Sequence, residues 1–346
     1  MKRTNPNITL TNLAEVNSGG IVLTVRKMLN ELLRKERTRP PHRARLSTRA
    51  YKNILSVIIC TANREDVVFG AVDSILNQNF DRSLFELIIV NNSASPLIHA
   101  KLPSNARIID QPVPGLSKSR NAGAQAANGE YLLYMDDDAI ASEGLLSSVF
   151  NAFKNRPNVA IVGGQIHLRL PSPTPDIFLK GKEALWSAYT VPYKSFRIVR
   201  EQYEFPFGAC FAVRHSAFDI LGGFPESYGR TGNDFAGGEE TALCFMARRH
   251  GFKIGIEPRA SVLHCVSPDR FTEEHVRRTI RAGILTTHRL FKDGYAPSGW
   301  TREYIVERLN IIEEELLKSR GLASLYKRYE KDAFAELLEE FNEVPV

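Results

Sequence analysis

At 346 residues, 43% of them hydrophobic, the chain has room for about two domains of roughly 150 residues and for a substantial core, which excludes an intrinsically disordered polypeptide. Four scattered cysteines, Cys60, Cys210, Cys244 and Cys265, form no Cys-x-x-Cys pair, which argues against a disulfide framework or zinc site and for free thiols in a reducing compartment. The formal net charge of +6 is unevenly spread, and no apolar run reaches the ~20 residues of a membrane-spanning helix. The N-terminus also lacks the charged-then-apolar pattern of a secretory signal, so a soluble, cytoplasmic protein is expected.

Residues 1–50 read as an extension. Between Gly20 and Arg37, the residues Ile21, Val25, Met28, Leu29, Leu32 and Leu33 recur at helical spacing, a face that could pack on the main domain, bind a partner or lie on a membrane surface. Arg34, Lys35, Arg37, Arg39, Arg43, Arg45 and Arg49 stand against the single acid Glu36. Such a basic arm suits peripheral contact with the anionic inner face of a membrane, or a solvated linker; nucleic acid is not the expected partner. Pro40-Pro41 ends the helix, and a fold boundary follows near Tyr51.

From Ile54 to Cys60 the β-branched run predicts a buried strand, which enters the polar loop Thr61-Ala62-Asn63-Arg64-Glu65-Asp66 and then a helix to about Asn77. Leu84 to Val90 predicts the second strand, ending in Asn91-Asn92-Ser93, and Ala106 to Asp110 the third. Pro114-Gly115-Leu116-Ser117 caps a helix of small residues from Lys118 to Ala127, with Asn128-Gly129 as its stop signal. A buried strand from Tyr131 to Met135 follows and ends in Asp136, Asp137 and Asp138. Beyond the acids, a helix from about Glu143 to Phe153 and a strand from Asn158 to Gly164 complete an alternation that predicts an α/β fold with a doubly wound, mostly parallel sheet and helices on both faces.

The middle of the chain is less regular. Leu170 to Asp176 holds three prolines and reads as a loop, and Trp186, Tyr189, Tyr193, Phe196, Tyr203 and Phe205 read more as core than as a stacking platform. Gly208 to Val213 is strand-like. The glycine-rich stretch Tyr228 to Gly238 leads to Glu239-Glu240, which opens a helix from Thr241 to His250; the two acids are either helix-dipole partners or part of a site that closes over substrate. Phe252 to Ile256 and Ala260 to Leu263 read as strand segments ending at His264, and Glu273 to Phe291 as an amphipathic basic helix. The helical tail to Phe341 should pack on the sheet domain or mediate self-association as a homo-oligomer.

Three adjacent carboxylates repel one another unless a positive group sits among them. At the carboxyl end of a strand in an open α/β sheet they face the ligand crevice. Two hard carboxylates one residue apart suit Mg²⁺ or Mn²⁺, which prefers oxygen ligands and leaves positions for substrate phosphates. The alternative is a solvated acidic turn.

Taken together, four ordered pieces resemble family 2 glycosyltransferases, inverting enzymes of the GT-A fold that use nucleotide-diphosphate sugars. They are Leu-Ser-Val-Ile-Ile-Cys-Thr-Ala-Asn-Arg from Leu55, Gly-Leu-Ser-Lys-Ser-Arg-Asn-Ala-Gly from Gly115 with the triple aspartate, Gly-Gly-Phe-Pro-Glu from Gly222, and Gly-Glu-Glu from Gly238 followed by a helix. The resemblance covers roughly Ile54 to His264. It implies a GT-A domain over 51–266, with a donor-nucleotide half at 51–140 and an acceptor half at 141–266, between the extension at 1–50 and a helical region at 267–346. It implies that Thr61, Asn63 and Arg64 line the donor-nucleotide pocket, with Arg120 near the nucleotide. Asn91 stands where the family usually has an aspartate that reads the base, and an amide both donates and accepts. Asp136 and Asp138 match the Asp-x-Asp metal site with Asp137 between them at the donor, and His264 the late histidine of the metal or diphosphate site. Glu239-Glu240 replaces the usual Glu-Asp, making Glu240 the expected base and Glu239 its support. The donor is then a nucleotide-diphosphate sugar, a UDP-sugar first, and the acceptor a saccharide, lipid-linked or other hydroxyl.

Three other readings compete. A haloacid-dehalogenase-like phosphatase needs paired aspartates on its first strand, where this chain has Thr61-Ala62. A sugar-nucleotide-synthesising nucleotidyltransferase needs a glycine-rich phosphate loop there, and Thr61 to Asp66 contains no glycine. A non-catalytic scaffold of the same fold would dock partners through the basic arm, and would release no nucleoside diphosphate from a sugar nucleotide.

Overall fold

The computed structural model describes residues 51–97, 102–200, 204–232, 235, 237–297 and 299–342. The amphipathic helix and basic arm expected before Tyr51 lie outside the described residues. The first half alternates strands and helices except between its second and third strands: β1 (Asn53–Thr61), α1 (Glu65–Leu76), β2 (Phe85–Asn91), β3 (Ala106–Asp110), α2 (Leu116–Ala126) and β4 (Gly129–Asp136). β1, β2, β3 and β4 run parallel in the order β3-β2-β1-β4. All seven residues of β2 are buried, which is why it reads as a continuous apolar run and not as an alternation. The chain passes from β1 to β3 on one side and returns to β4 on the other, so the crevice where the order reverses lies above the carboxyl ends of β1 and β4.

The second half adds β5 (Ala139–Ala141), α3 (Leu145–Lys154), β6 (Val159–Arg169), β7 (Arg197–Ile198), β8 (Phe211–Arg214), α4 (His215–Leu221), α5 (Glu239–Arg249) and β9 (Lys253–Cys265). β8 runs antiparallel between β4 and β6, β9 lies parallel to β6, and the short β5 pairs antiparallel with the end of β9. Three local expectations change. Gly129 is a strand residue and not a helix stop: a side chain there would meet the backbone nitrogen of Ser56 at 2.5 Å, so its bareness serves close pairing with β1. The segments expected at 252–256 and 260–263 form one 13-residue strand, held across a register shift by β6. Helix α5 starts at Glu239, which places both acids in its first turn, where the helix dipole favours negative charge.

The tail forms α6 (Glu273–Lys292), α7 (Arg302–Lys318) and α8 (Gly321–Asn342). It packs on the sheet domain: Ile280, Ile284, Leu290, Ile312 and Phe334 are buried, the Tyr326 hydroxyl donates to the Ile177 carbonyl at 2.5 Å, and the Trp186 indole donates to the Arg270 carbonyl at 3.2 Å. Trp186, Tyr189 and Phe205 are core residues as expected, while Tyr193 and Phe196 are half-buried and Tyr203 lies outside the described residues. All four cysteines are free thiols.

Candidate active site

Backbone register sets the site. Cys60 pairs with Asp136, Thr61 with Asn91, and Asn91 with Asp110, so four strand ends finish level at the crevice. The loop after β1 turns at Asn63, which adopts a left-handed conformation (φ 54°) that asparagine tolerates better than most residues. Its backbone N–H donates to Ser93 Oγ at 2.6 Å, tying the loop to the end of β2.

The three aspartates part in three directions. Asp137 turns back into the protein, accepting from Thr61 Oγ1 at 2.7 Å and from Arg64 Nη1 at 2.7 Å. Burial pushes its carboxyl up to about 6, against the pull of Arg64. Asp137 thus holds the loop carrying Thr61 and Arg64 and does not face the crevice. Asp136 keeps nearly a third of its side chain exposed and accepts from Arg120 Nη2 at 3.2 Å. Asp138 is buried, with Oδ1 3.1 Å from His264 Nε2 and Oδ2 accepting from Arg64 Nη2 at 2.9 Å, while Arg270 Nη2 lies 3.5 Å from Oδ2. Burial alone would raise Asp138; the His264 hydrogen bond and the charges of His264, Arg270 and Arg64 outweigh it and hold the carboxyl well below the usual range.

His264 arrives opposite the acids because Ala139 of β5 pairs with His264 of β9. Its Nδ1 faces the Trp186 carbonyl at 2.9 Å and as a donor to that oxygen leaves Nε2 to hold either a proton shared with Asp138 or a lone pair. A lone pair 3.1 Å from a carboxylate oxygen calls for a cation between them, a proton or a metal ion. Neighbouring positions on an octahedral ion with bonds of about 2.1 Å lie about 3.0 Å apart, so one hard oxygen and one imidazole at this separation fit Mg²⁺ or Mn²⁺. Among the described residues no three His, Cys, Asp or Glu side chains form a ready-made cage, because Asp136 faces Arg120. A site of this kind fills its remaining positions with water and substrate phosphate. Arg270 Nη1 lies 3.4 Å from His264 Nε2, so in this state a guanidinium neutralises the donor pair.

Arg120 joins the two halves of the site. It projects from α2, is buried, and its Nη1 donates to Glu239 Oε1 at 2.8 Å and to Glu240 Oε1 at 2.7 Å, while Nη2 reaches Asp136. Burial acts against its charge, but Glu240, Glu239 and Asp136 outweigh it, so the guanidinium stays charged. One cation against three carboxylates leaves excess negative charge. Glu239, wholly buried, responds: burial and then the charge of Glu240 push it up to about 8. Glu240 is partly exposed to the cavity. Gly208 makes the contact possible, since a side chain there would meet Glu240 Oε1 at 2.0 Å and Arg120 Nη2 at 2.3 Å.

Above these groups lies a cavity of about 310 Å³, bounded by Asp136, Arg120, Glu240 and Arg270 on one side and by α6 on the other. Arg230, Phe235, Gly237 and Gly238 of the glycine-rich stretch line it, and the Tyr228 hydroxyl at the start of that stretch donates to Asp293 Oδ2 at 2.7 Å; residues 233, 234 and 236 lie outside the described residues. The amide of Asn91 is engaged within the scaffold, donating to the Ser95 carbonyl and to Asp110 Oδ1 at 2.9 Å each and accepting from Ser93 N at 3.2 Å. Sequence reasoning missed Asp110, an exposed carboxylate beside Asn91 at the same rim, although its place at the end of β3 was readable. It also missed Arg270 and the wall contributed by α6.

Residues 56–221 match the family model for glycosyl transferase family 2, just under half of the chain; Glu239, Glu240 and His264 lie beyond that match. The chain is 23% identical over 220 residues to the glucosyl-dolichyl phosphate glucuronosyltransferase of Haloferax volcanii, covering 61% of this chain and 68% of that protein. To the minor teichoic acid biosynthesis protein GgaB of Bacillus subtilis it is 30% identical over 120 residues, covering 33% of this chain and 13% of the relative, so the chain spans only a small part of that protein. Among solved structures, the mannosyltransferase PcManGT from Pyrobaculum calidifontis, in complex with GDP-Man and Mn²⁺, superposes with a TM-score of 0.54 over 93% of this chain and 95% of that one at 15% identity, which establishes a common fold. Residues 56–221 are thus similar to glycosyltransferase family 2, the fold is GT-A, and the chain is a glycosyltransferase.

Proposed function

We propose that this enzyme transfers a sugar with inversion from a nucleotide-diphosphate sugar to an acceptor hydroxyl, with Glu240 as the base and Asp138 and His264 as ligands of Mn²⁺ or Mg²⁺. The observation that carries the reading is the Arg120 guanidinium, which holds Asp136 at the donor strand end and Glu239 and Glu240 at the start of α5 around a single cavity. Donor and base then meet across that cavity. Thr61, Asn63 and Arg64 hold the nucleotide from the loop after β1, with Asn91, Asp110 and Asp136 at the same rim.

The acceptor oxygen forms its bond to the anomeric carbon while the bond from that carbon to the diphosphate oxygen breaks, and the acceptor proton passes to Glu240. A positioned base typically accelerates such a step by ~10²–10⁴. Attack from the face opposite the leaving group inverts the centre. Glu239, kept largely protonated near neutrality, leaves Arg120 free to orient Glu240. When bound, the metal would supply Lewis-acid stabilisation to the departing diphosphate. Arg64 helps keep Asp138 ionised for it.

The similarity to a dolichyl-phosphate-dependent relative supports a lipid-linked acceptor in glycoconjugate synthesis, reached from the cytoplasmic face with the basic arm on the membrane. A thermal-shift panel of UDP, GDP and their sugars, with and without Mn²⁺, identifies the donor. Glu240→Gln should keep the donor's thermal shift and lose transfer by at least ~10². Unchanged transfer removes Glu240 as the base, and a product of retained configuration by NMR removes inversion.

A further inference from the structure

The cavity wall is of two kinds: Asp136, Arg120, Glu240 and Arg270 make it charged, and Phe205, Phe207, Phe245, Ile280 and Leu290 make it apolar. A free sugar pushed among these rings would leave its hydroxyls unpaired, at a cost of roughly 1–3 kcal/mol for each buried group. Thr279 Oγ1, buried in the wall with no hydrogen-bond partner among the described residues, can pair with one polar group of the acceptor, but Phe205, Phe207, Phe245, Ile280 and Leu290 cannot pair with the rest. At about 310 Å³ the space is at the small end of the roughly 300–1,000 Å³ of ordinary ligand pockets, enough for a compact apolar group beside a sugar.

Helix α6 shapes the apolar wall. Thr279, Gly283, Thr286 and Leu290 recur four, three and four positions apart, so they share one face, and that face lines the cavity. Gly283 sits in the middle of a 20-residue helix, where glycine costs about 1 kcal/mol relative to alanine. Packing does not require it: a Cβ built there meets nothing within 4 Å, and the backbone is ordinary helix. What the missing side chain preserves is room in the cavity.

We propose that the acceptor carries its hydroxyl on, or next to, an apolar group that lodges against the Gly283 face of α6, and that Gly283 limits the size of this group. The inference rests on Glu240 being the base that faces the acceptor. It places acceptor selection partly in the C-terminal helices and outside the residues matched by the family model.

Octyl β-glucoside below its micelle concentration, 4-nitrophenyl β-glucoside and glucose serve as probes, with binding measured by calorimetry on the full chain in the presence of Mn²⁺ and UDP or GDP. The wild type should bind at least one of the two apolar glucosides at least tenfold more tightly than glucose. Preference for the octyl compound indicates an aliphatic group, and preference for the nitrophenyl compound an aromatic one. Along Gly283→Ala, Gly283→Leu and Gly283→Phe this preference should shrink in order and vanish at Phe. Gly283→Ala removes an unfavourable helix residue, so a folded variant is available even if the phenylalanine is not accommodated. Equal binding of glucose by the wild type, or a preference that survives in the leucine and phenylalanine variants, overturns the proposal. Failure of the nucleotide-sugar reading is seen separately, as the absence of any thermal shift with UDP, GDP or their sugars in the wild type.

Discussion

Replacing Arg120 by methionine tests the heart of the site. The substitution keeps the length of the side chain and removes a guanidinium that touches Glu239 at 2.8 Å, Glu240 at 2.7 Å and Asp136 at 3.2 Å. Glu239 is wholly buried, so it is left either charged without a partner or neutral through a proton. Breaking a buried ion pair from one side typically costs about 3–5 kcal/mol. Arg120→Met should lose that much in urea denaturation at pH 9, where Glu239 is ionised in the wild type, with an unchanged m-value marking a native-state effect. Adding Glu239→Gln to Arg120→Met should recover roughly half of the loss, because the amide needs no counter-charge, and the double-mutant cycle measures this coupling. A loss below about 1 kcal/mol, or no recovery in the double variant, would refute the picture of one cation holding the acids together.

Three further outcomes are expected. Gly208→Ala drives a methyl group against Glu240 and the buried Arg120, so their ion pair must give way: the melting temperature should fall and kcat should drop about 10²-fold, and an unchanged kcat would show that Glu240 need not sit where it does. Glu239 binds its proton more tightly in the fold than at its ordinary value of 4.5, so stability should be greatest below about pH 4.5 for this group and decline as pH rises toward 8. Glu239→Gln should flatten that slope between pH 5 and 8 in denaturation curves, and parallel wild-type and variant curves would contradict it. Arg270→Met removes a cation from beside Asp138 and His264, and a unit charge about 4 Å from a divalent ion is worth roughly 2 kcal/mol in water. Mn²⁺ affinity, read by electron paramagnetic resonance, should rise up to about thirtyfold; weaker binding would show that Arg270 assists the metal and does not compete with it.

The order of strands in the first half was legible because each parallel strand is a run of buried apolar residues closed by a polar loop, as in Ile54 to Thr61. The acids at the end of β4 were legible for the same reason. The division of labour among Asp136, Asp137 and Asp138 was not, since it depends on Thr61, Arg64 and Arg120, which reach them from 16 to 76 positions away. Arg120 illustrates the limit well: a lone arginine in a helix of small residues carries no mark of burial, and only the approach of α5 through Gly208 reveals what it holds. β9 was read as two pieces because its pairing with β6 and β5 is non-local, and local pattern cannot bridge Glu257 to Arg259. The helix α6 was read as amphipathic and expected to pack on the sheet domain or in self-association, but its spacing did not show that Thr279, Gly283, Thr286 and Leu290 face a cavity.

The pairing of β5 with β9 has a consequence for how the enzyme comes into being. Asp138 leaves the ribosome more than a hundred residues before His264 and Arg270, and until those arrive its carboxylate has Arg64 alone for company. The parallel strands carrying the nucleotide loop can assemble early, but the closing strand and the helices stacked on it come last. A nascent chain would therefore hold a half-built cradle and no competent catalyst, and capacity for turnover would switch on late in synthesis, after the last strand zips into place.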